Sequence, residues 1–481
     1  MENLLDKSYT QILSQRVQEC PNKVFLSYKN KDYTFKNLNE LSNKIANALK
    51  AKNIKKGEIV GIFLENSPLF IASFFAIRKL GAIALFMHSY ADLKGIKKTS
   101  TDFKISCLCH NNADLKLENS LYLDENLDFS ANFKDEDTDI NSPCLVLLTS
   151  GSTGKPKGVI YTNKALNLST KILIEYFNPQ KLTSFCSFMP FCHIGGFVDD
   201  FCHAFFINGT LNIVANKKNE SFEERLNSIF SVCMKYSCDF LSAVPSLLSW
   251  LKNQPDYKEK IKSLKVIKFG AQNITFSQAK DFIKVFKDQE LIFTYGMSEL
   301  HSIGLVSSKD KENFLQKKLH FLPQICIKNP DEKIAELYLK APYMAQGYFG
   351  NENFDFIKSG DLLEFYEKPY FMVIDRVDDM MISNGVHIYP SEILSAVLSF
   401  EDVSDAFVCG LDDEALWQIP ACALITKNGF KLENLIEHLK QNISSYKIPK
   451  YFVFFDKFVY LENGKIDKST LKRLIEQKIQ G

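Results

Sequence analysis

A short segment near residue 150 collects the groups that bind phosphate in proteins. It follows the apolar run 144–148 and consists of Thr149, Ser150, Gly151, Ser152, Thr153, Gly154, Lys155, Pro156 and Lys157. Glycines let backbone N–H groups approach an anion, hydroxyls add donors, and lysines add positive charge. A plain polar surface turn is the less favoured interpretation, because so many such groups follow a predicted strand directly. The segment therefore predicts a phosphate-binding loop.

This loop does not have the spacing of a P-loop. That motif requires Gly, four residues and then Gly-Lys-Ser/Thr. Here Gly154-Lys155 is followed by Pro156, and residue 149 is threonine rather than glycine. Pro156 also excludes the helix that a P-loop must open. Phosphate binding without Walker geometry is the remaining hypothesis.

A second polar segment, 294–299, follows another apolar run and ends on an acidic residue, Glu299. Ligands of α/β proteins bind at loops that follow strand ends. A carboxylate beside bound phosphates requires an intervening cation. We therefore predict that Glu299 binds Mg²⁺.

Taken together, the motifs resemble those of the adenylate-forming superfamily, which comprises acyl-CoA synthetases, peptide-synthetase adenylation domains and luciferases. The matching segments lie in the family's order along essentially the whole chain, at 148–159, 189–196, 269–272, 294–299, 359–362, 375–378 and 463–466. The resemblance implies an α/β acyl-adenylate-forming synthetase fold, with a large multi-sheet N-terminal domain and a small α+β C-terminal domain. It implies an AMP-binding domain over 1–377 and a mobile lid domain over 378–481.

The resemblance also implies roles for single residues. Lys465 would bridge the carboxylate and the α-phosphate, His193 would line the entry to the acyl pocket, and Glu299 would hold Mg²⁺. Asp361 would accept hydrogen bonds from the ribose hydroxyls, which suits a carboxylate. The other implied contacts to ATP, the hinge and the acceptor thiol are Thr149, Ser150, Gly151, Ser152, Thr153, Gly154, Lys155, Lys157, Gly270, Ala271, Gln272, Tyr295, Gly296, Ser298, Arg376, Asp378, Asn384 and Gly385.

Three positions depart from the family pattern. Ser298 replaces a threonine but keeps the hydroxyl, and Ala335 replaces a glycine. Segment 458–462 lacks the usual proline and threonine ahead of Lys465. The last departure concerns the rigidity of the lysine loop and not the identity of the lysine.

The composition limits the class of protein. A chain of 481 residues with 46% hydrophobic and 24% charged residues predicts a globular protein of two or more domains. Its net charge of +1 argues against a general nucleic-acid partner. The 12 cysteines are scattered singly and no secretory signal is recognised, so we expect free thiols and a cytoplasmic location. His193 and His203 have no metal-ligand spacing with other ligands.

Predicted strands and helices alternate in the manner of a parallel α/β sheet. Predicted strands include 58–64, 82–86, 240–244, 264–269 and 291–294. The most apolar window, 69–87, contains Arg78 and predicts a buried helix running into a strand, not an integral membrane segment.

The resemblance implies a two-step ligase that uses ATP and Mg²⁺. A carboxylic acid would be adenylated with release of pyrophosphate, and a thiol would then take the acyl group, with Lys465 serving the first step and the 383–385 region the second. The thiol is coenzyme A, or the phosphopantetheine arm of a separate carrier protein. A catalytically silent nucleotide-binding relative is the alternative from another class.

The motifs do not identify the carboxylic acid that is activated. Amino-acid-activating relatives carry an aspartate where this chain has Gly195, which favours an acid without an α-amino group. Asp199 and Asp200 follow the predicted acyl entry. We expect them to be surface residues of a helix, and the alternative is that they select a polar substrate.

Overall fold

Three β-sheets with helices packed against them form a mixed α/β architecture. The computed structural model describes residues 2–136, 139–149, 156–177, 182–216, 220–328, 332–383, 385–413, 415–459 and 466–480. All structural statements below concern these ranges.

The strands are short and distributed along the whole chain. In chain order they are β1 Val24–Tyr28, β2 Lys31–Thr34, β3 Ile59–Phe63, β4 Ile83–Phe86, β5 Ile105–His110, β6 Ser120–Tyr122, β7 Pro143–Thr149, β8 Lys157–Thr162, β9 Ser184–Ser187, β10 Thr210–Ile213, β11 Phe240–Ala243, β12 Val266–Phe269, β13 Glu290–Met297, β14 Leu300–Ser307, β15 Leu319–Phe321, β16 Cys326–Lys328, β17 Ile334–Lys340, β18 Gly347–Tyr348, β19 Ile357–Phe365, β20 Tyr370–Arg376, β21 Met381–Ser383, β22 Val386–Ile388, β23 Val403–Asp413, β24 Trp417–Thr426 and β25 Tyr451–Phe454.

The helices connect and cover these strands. They are α1 Glu2–Leu5, α2 Tyr9–Glu19, α3 Phe35–Ala51, α4 Pro68–Lys79, α5 Leu93–Asp102, α6 Asn163–Phe177, α7 His203–Phe206, α8 Phe222–Lys235, α9 Pro245–Leu251, α10 Tyr257–Lys260, α11 Phe276–Val285, α12 Lys311–Gln316, α13 Pro390–Leu398, α14 Leu432–Asn442 and α15 Lys468–Gln480, with a π-helix at Gly196–Cys202 and 3₁₀ turns at Val377–Asp379 and Ser445–Lys447.

The largest sheet has a parallel half that positions the candidate site. Its strand order is β16-β17-β19-β20-β15-β14-β13-β12-β11-β9-β10-β1-β2, and the neighbours from β1 through β10, β9, β11 and β12 to β13 are parallel. β13 turns back into antiparallel β14. The carboxyl ends of β9, β11, β12 and β13 therefore meet at one edge, where α/β proteins bind ligands.

The second sheet has the order β18-β8-β7-β4-β3-β5-β6. β7 pairs antiparallel with β8, and Thr149 lies opposite Lys157 at the end of the pair. Because Lys157 begins a strand, no helix opens after Pro156, as expected for a loop that is not a P-loop.

Local sequence accounts for these elements. α3 begins at a capping box in which Thr34 and Asn37 exchange hydrogen bonds, and α4 has a Ser67 cap with proline in its first turn. The predicted strands 58–64, 240–244, 264–269 and 291–294 are confirmed as β3, β11, β12 and β13. The apolar window 69–87 is confirmed as α4 running into β4. Within the described ranges, no helix combines the length and apolarity needed to cross a membrane.

The C-terminal part has a sheet and apolar clusters of its own. The third sheet contains β22, β21, β24 and β23, with β25 added to β24. Two apolar clusters built from residues 381–475 pack on its two sides, one under α13 and α14 and the other under α15. This arrangement is consistent with a boundary near residue 377, and the exact limits 1–377 and 378–481 stay a prediction.

Candidate active site

Asp361 lies between a tyrosine and an arginine beside the carboxyl end of β13. Tyr295 Oη donates to Asp361 Oδ2 at 2.5 Å, and Arg376 Nη1 donates to Oδ1 at 2.9 Å. Asp361 and Arg376 are cross-strand partners in β19 and β20. A carboxylate can accept about four hydrogen bonds, so two positions remain for hydroxyl groups of a ligand.

Local electrostatics keep the Tyr295 hydroxyl protonated and the Arg376 guanidinium charged. Burial first, and then the charge of Asp361, raise the pKa of Tyr295 well above its ordinary value, so the phenol stays a donor. Burial opposes the charge of Arg376, but the neighbouring Asp361 outweighs it and raises the pKa of the guanidinium. Gly360, next to Asp361, has a φ of 71°, a left-handed conformation that favours glycine.

The predicted adenine-flanking turn lies beside the same strand end. A Cβ on Gly270 would come within 2.6 Å of the Thr294 carbonyl oxygen, so the turn packs on β13 only because residue 270 is glycine. Ala271 follows with φ of 66°, a left-handed conformation that is uncommon for a residue with a side chain. Gly296 is tighter still, since a Cβ there would lie 1.9 Å from the His301 carbonyl oxygen. The predicted nucleotide residues Gly270, Ala271, Tyr295 and Gly296 thus share one strand-end region.

Glu299 is nearly buried at the β13–β14 turn. Its Oε1 accepts a hydrogen bond from Tyr348 Oη at 2.5 Å, and Tyr161 Oη donates to the neighbouring Ser298 carbonyl at 2.8 Å. Burial, followed by the hydrogen bond and charge of Glu299, raises the pKa of Tyr348. Among the described residues no hydrogen bond occupies Oε2. An oxygen ligand with one free oxygen fits Mg²⁺, which usually takes one or two carboxylates together with phosphates and water.

Lys157 lies close to this turn. Its Nζ is 4.9 Å from the centre of the Tyr348 ring, the same tyrosine that donates to Glu299. Thr149 lies opposite Lys157 in the β7–β8 pair, at the start of the predicted phosphate loop. Residues Ser150, Gly151, Ser152, Thr153, Gly154 and Lys155 lie outside the described residues.

His193 follows β9 and has other potential metal ligands nearby. Its ring centre is 5.0 Å from that of His88, and Cys192 Sγ is 3.4 Å from His88 Nδ1. His88, Cys192 and His193 offer ligand atoms within 4.8 Å of one another. Sequence spacing alone gave no such grouping, because His88 is distant in the chain. Burial raises the pKa of the Cys192 thiol to about 12, so the thiol is protonated at neutral pH.

The expectation that Asp199 and Asp200 are surface residues is wrong. Asp199 is 7% exposed and Asp200 is fully buried, both on the π-helix Gly196–Cys202. Asp199 Oδ1 accepts a hydrogen bond from Lys268 Nζ and lies 2.9 Å from His301 Nε2. The helix is buried on all sides between α6 and the large sheet, so an acidic pair there has no access to the surface.

The predicted hinge residue Asp378 lies close enough to Arg376 for its charge to help raise the pKa of that guanidinium. Asp378 lies in the 3₁₀ turn Val377–Asp379, and Gly385 has φ of 77° between β21 and β22. Asp375, at the start of this region, accepts a hydrogen bond from the Ser391 backbone N–H of α13 at 2.9 Å. Asn384 and Lys465 lie outside the described residues.

The sequence motifs did not identify several residues that contact the candidate site or the buried Asp199. Tyr161 and Tyr348 contact the predicted residues Ser298 and Glu299, and Lys268 and His301 contact Asp199. The sequence motifs assigned none of these four residues a role in the site. Their contacts are visible only in the structure, since Tyr348 is 49 residues from Glu299 and Lys268 is 69 residues from Asp199.

Known proteins match the chain over nearly its whole length. A 2-succinylbenzoate–CoA ligase from Listeria monocytogenes serotype 4b is 25% identical over 96% of this chain and 99% of its own. The o-succinylbenzoate CoA synthetase from Bacillus subtilis in complex with its acyl-adenylate intermediate has a TM-score of 0.82 at 23% identity, covering 96% of this chain and 97% of its own. The same Bacillus protein in complex with ATP and magnesium gives 0.82 at 22% identity, with coverage of 96% and 99%.

A further solved structure, the ATP-bound MatB from Rhodopseudomonas palustris, has a TM-score of 0.86 at 17% identity, covering 98% of this chain and 99% of its own. These likenesses show the acyl-adenylate-forming synthetase fold. The profile of the AMP-binding enzyme family matches residues 13–349, and that of the AMP-binding enzyme C-terminal domain matches residues 392–465. The chain therefore belongs to the family of AMP-binding enzymes.

Proposed function

We propose that the protein is an AMP-forming acid–CoA ligase. It joins a carboxylic acid to AMP at the expense of ATP and then transfers the acyl group to coenzyme A. The observation that carries the proposal is the cluster of Tyr295, Asp361 and Arg376 beside Glu299, at the strand ends where a nucleotide binds. The family match, the 2-succinylbenzoate–CoA ligase relative and the acyl-adenylate complex of the Bacillus protein support it.

In the first step a carboxylate oxygen of the acid attacks the α-phosphorus of ATP. The bond from that phosphorus to the bridging oxygen breaks, and pyrophosphate leaves with the electron pair. Asp361 orients the ribose through its two free acceptor positions, and Arg376 adds fixed positive charge nearby. Lys465 donates to the oxygens on which negative charge grows, the kind of stabilisation that contributes most to catalysis.

Glu299 and Lys157 serve the phosphates that leave. Mg²⁺, when bound, neutralises phosphate charge, and Glu299 Oε2 is the oxygen that would hold it. Tyr348 fixes the Glu299 carboxylate through Oε1 and lies under the Lys157 ammonium. The predicted loop 149–157 supplies further donors to the β- and γ-phosphates.

In the second step the thiol of coenzyme A attacks the acyl carbon. The bond from that carbon to the AMP oxygen breaks, AMP leaves, and the thiol proton passes to solvent. The proposed C-terminal domain, beginning at Asp378, brings Gly385 and its neighbours to the site for this step. Domain closure of this kind often limits turnover.

Pyrophosphate release across a panel of acids tests the first step, and the acceptor is identified by offering coenzyme A or a phosphopantetheinylated carrier protein. We expect release with at least one acid and thioester formation on coenzyme A. Tight ATP binding without release for any acid would contradict the proposal and favour a catalytically silent relative. Thioester formation on the carrier alone would overturn the choice of acceptor.

A further inference from the structure

Three side chains from two distant segments bring metal-binding atoms together beside the predicted acyl entry. His88 follows β4 of the second sheet, while Cys192 and His193 follow β9 of the large sheet. Cys192 Sγ lies 3.4 Å from His88 Nδ1, and the ring centres of His88 and His193 are 5.0 Å apart. One ligand atom from each of the three side chains lies within 4.8 Å of the other two. We call His88, Cys192 and His193 the His–Cys–His cluster.

The ligand types in the His–Cys–His cluster favour zinc over magnesium. Imidazole nitrogen and thiolate sulfur suit Zn²⁺, whereas Mg²⁺ takes oxygen ligands such as Glu299. The ligand atoms of a tetrahedral zinc ion lie about 3.3–3.6 Å apart. Cys192 Sγ and His88 Nδ1 already have this separation. A small rotation of the His193 side chain would therefore complete three positions of a tetrahedron.

Hydrogen bonds fix the segment that carries two of these ligands. Asn66 Nδ2 donates to the Met189 carbonyl, and the Phe191 backbone N–H donates to Asn66 Oδ1, each at 2.8 Å. The His193 backbone N–H donates back to the Pro190 carbonyl at 3.0 Å. Ligands on a backbone that is fixed before binding lose little freedom when a metal arrives.

The His–Cys–His cluster is open to solvent on its imidazole side. Cys192 is 7% exposed, whereas His88 and His193 are both partly exposed. The ring of Tyr90 stacks on His88 with the ring centres 5.0 Å apart, which restricts the orientation of that imidazole. An ion therefore approaches from the imidazoles and meets the sulfur at the inner end. Three protein ligands leave the fourth position to water, unlike the closed sites in which zinc is purely structural.

The His–Cys–His cluster lies at the edge of the sheet where the predicted phosphate loop begins. Phe86 of β4 pairs with Leu147 of the parallel strand β7. His88 and Thr149 each lie two residues beyond this pair, so the cluster adjoins the start of the loop. His193 is also the residue predicted to line the acyl entry. A metal ion bound here would restrain a side chain of that entry.

We propose that the His–Cys–His cluster binds one Zn²⁺ ion and that the bound ion hinders entry of the acid. The thiolate is the form of cysteine that binds a metal, so the ion replaces the thiol proton of Cys192, which passes to solvent. The ion holds the His193 imidazole towards His88 and adds a water molecule at the fourth position. The metal site stands without the proposed function, whereas its effect on the acid rests on that function.

Titration with Co²⁺ tests the metal site, because a thiolate ligand gives cobalt an intense charge-transfer band. We expect one Co²⁺ per chain with this band, and its displacement by Zn²⁺. Both His88→Gln and Cys192→Ser should bind Zn²⁺ at least about tenfold more weakly, since each removes a ligand.

The matched controls are His320→Gln and Cys326→Ser, which change exposed residues of other strands and should bind Zn²⁺ as the wild type does. If Cys192→Ser does not fold, the partly exposed position of His88→Gln carries the test. Absence of the charge-transfer band in the wild type, or equal Zn²⁺ affinity of the wild type and His88→Gln, would overturn the metal site.

Single-turnover formation of acyl-adenylate tests the effect on the acid, with coenzyme A omitted because its thiol binds zinc. By mass action, free Zn²⁺ at about ten times its Kd should raise the half-saturating acid concentration of the wild type about tenfold. His88→Gln should match the wild type without Zn²⁺, and the same Zn²⁺ should raise its acid requirement by about twofold at most. An unchanged acid requirement with Zn²⁺ bound to the wild type would overturn the effect on the acid. No acyl-adenylate from any acid would contradict the proposed function, and the cobalt titration would still decide the metal site.

Discussion

At the proposed nucleotide end of the candidate site, Asp361 accepts hydrogen bonds from Tyr295 and Arg376. All three residues belong to motifs visible in the sequence. On the π-helix Gly196–Cys202, Asp199 and Asp200 are buried, and Asp199 pairs with Lys268 of a strand distant in the chain. In the first region, one antiparallel strand pair brings Asp361 and Arg376 together. In the second, residues far apart in the chain meet only in the folded protein. Local spacing therefore determines the first region, and tertiary packing determines the second.

This difference predicts two kinds of variant. Changes at the nucleotide end should slow adenylation of every acid by a similar factor. Changes at the buried residues Asp199, Asp200 and Lys268 should alter stability, with ATP binding retained.

Lys465→Ala should lower the rate of adenylation about 1,000-fold, because a group that stabilises developing negative charge is lost. Thioester formation from supplied acyl-adenylate should continue, since that charge belongs to the first step. Pyrophosphate release and acyl-CoA formation measure the two steps separately. Lys468→Ala is the control, because Lys468 pairs with Asp379 in the same part of the chain. Equal loss of both steps would show that Lys465 has another role.

Glu299→Gln should reduce kcat/KM for ATP about 100-fold at limiting Mg²⁺, with partial recovery at high Mg²⁺, because the proposed metal ligand loses its charge. A magnesium titration of pyrophosphate release measures the effect. The factor should be the same for each accepted acid. Glu336→Gln, in β17, is the matched control, and an effect that is independent of Mg²⁺ would argue against metal binding by Glu299.

Asp200→Asn should stabilise the protein relative to the wild type, and increasingly so as the pH rises. Burial raises the folded-state pKa of Asp200, and the charge of Asp199 adds to this effect. The folded protein therefore keeps a proton that the unfolded chain releases near pH 4, and wild-type stability from this group falls as pH rises from there towards the folded pKa. Asparagine has no proton to release, so we expect the variant to gain about 1–3 kcal/mol between pH 4 and pH 8.

Thermal unfolding of both proteins at several pH values measures this gain. Asp355→Asn is the surface control, because Asp355 is exposed beside Lys340. A difference in Tm between Asp200→Asn and the wild type that does not change with pH would show that Asp200 is ionised in the folded protein.

Tyr348→Phe should raise KM for ATP about fivefold, the effect of losing one hydrogen bond of about 1 kcal/mol to Glu299. The ring stays under Lys157, so phosphate contacts that depend on that lysine persist. Tyr338→Phe is the control, since Tyr338 contacts Glu336 away from the site. If Tyr348→Phe lowered kcat/KM for ATP as much as Glu299→Gln does, the Tyr348 hydroxyl would itself contact the ligand.

Local spacing accounts for the contacts among the residues predicted to bind the nucleotide, while their binding role stays a prediction. Asp361 and Arg376 are brought together by one antiparallel pair, β19 and β20, and Glu299 follows directly from the end of β13. Local pattern could not predict the burial of Asp199 and Asp200. Two adjacent aspartates usually mark an exposed helix face, and only the distant Lys268 and the complete burial of the π-helix show otherwise.

The most direct test of the proposed function is a product analysis. The purified protein is incubated with ATP, Mg²⁺, coenzyme A and the best acid of the panel, and all products are quantified by mass spectrometry. We expect acyl-CoA, AMP and pyrophosphate in equal amounts, all abolished together when the acid is omitted. ADP and inorganic phosphate in place of AMP and pyrophosphate would contradict acyl-adenylate formation.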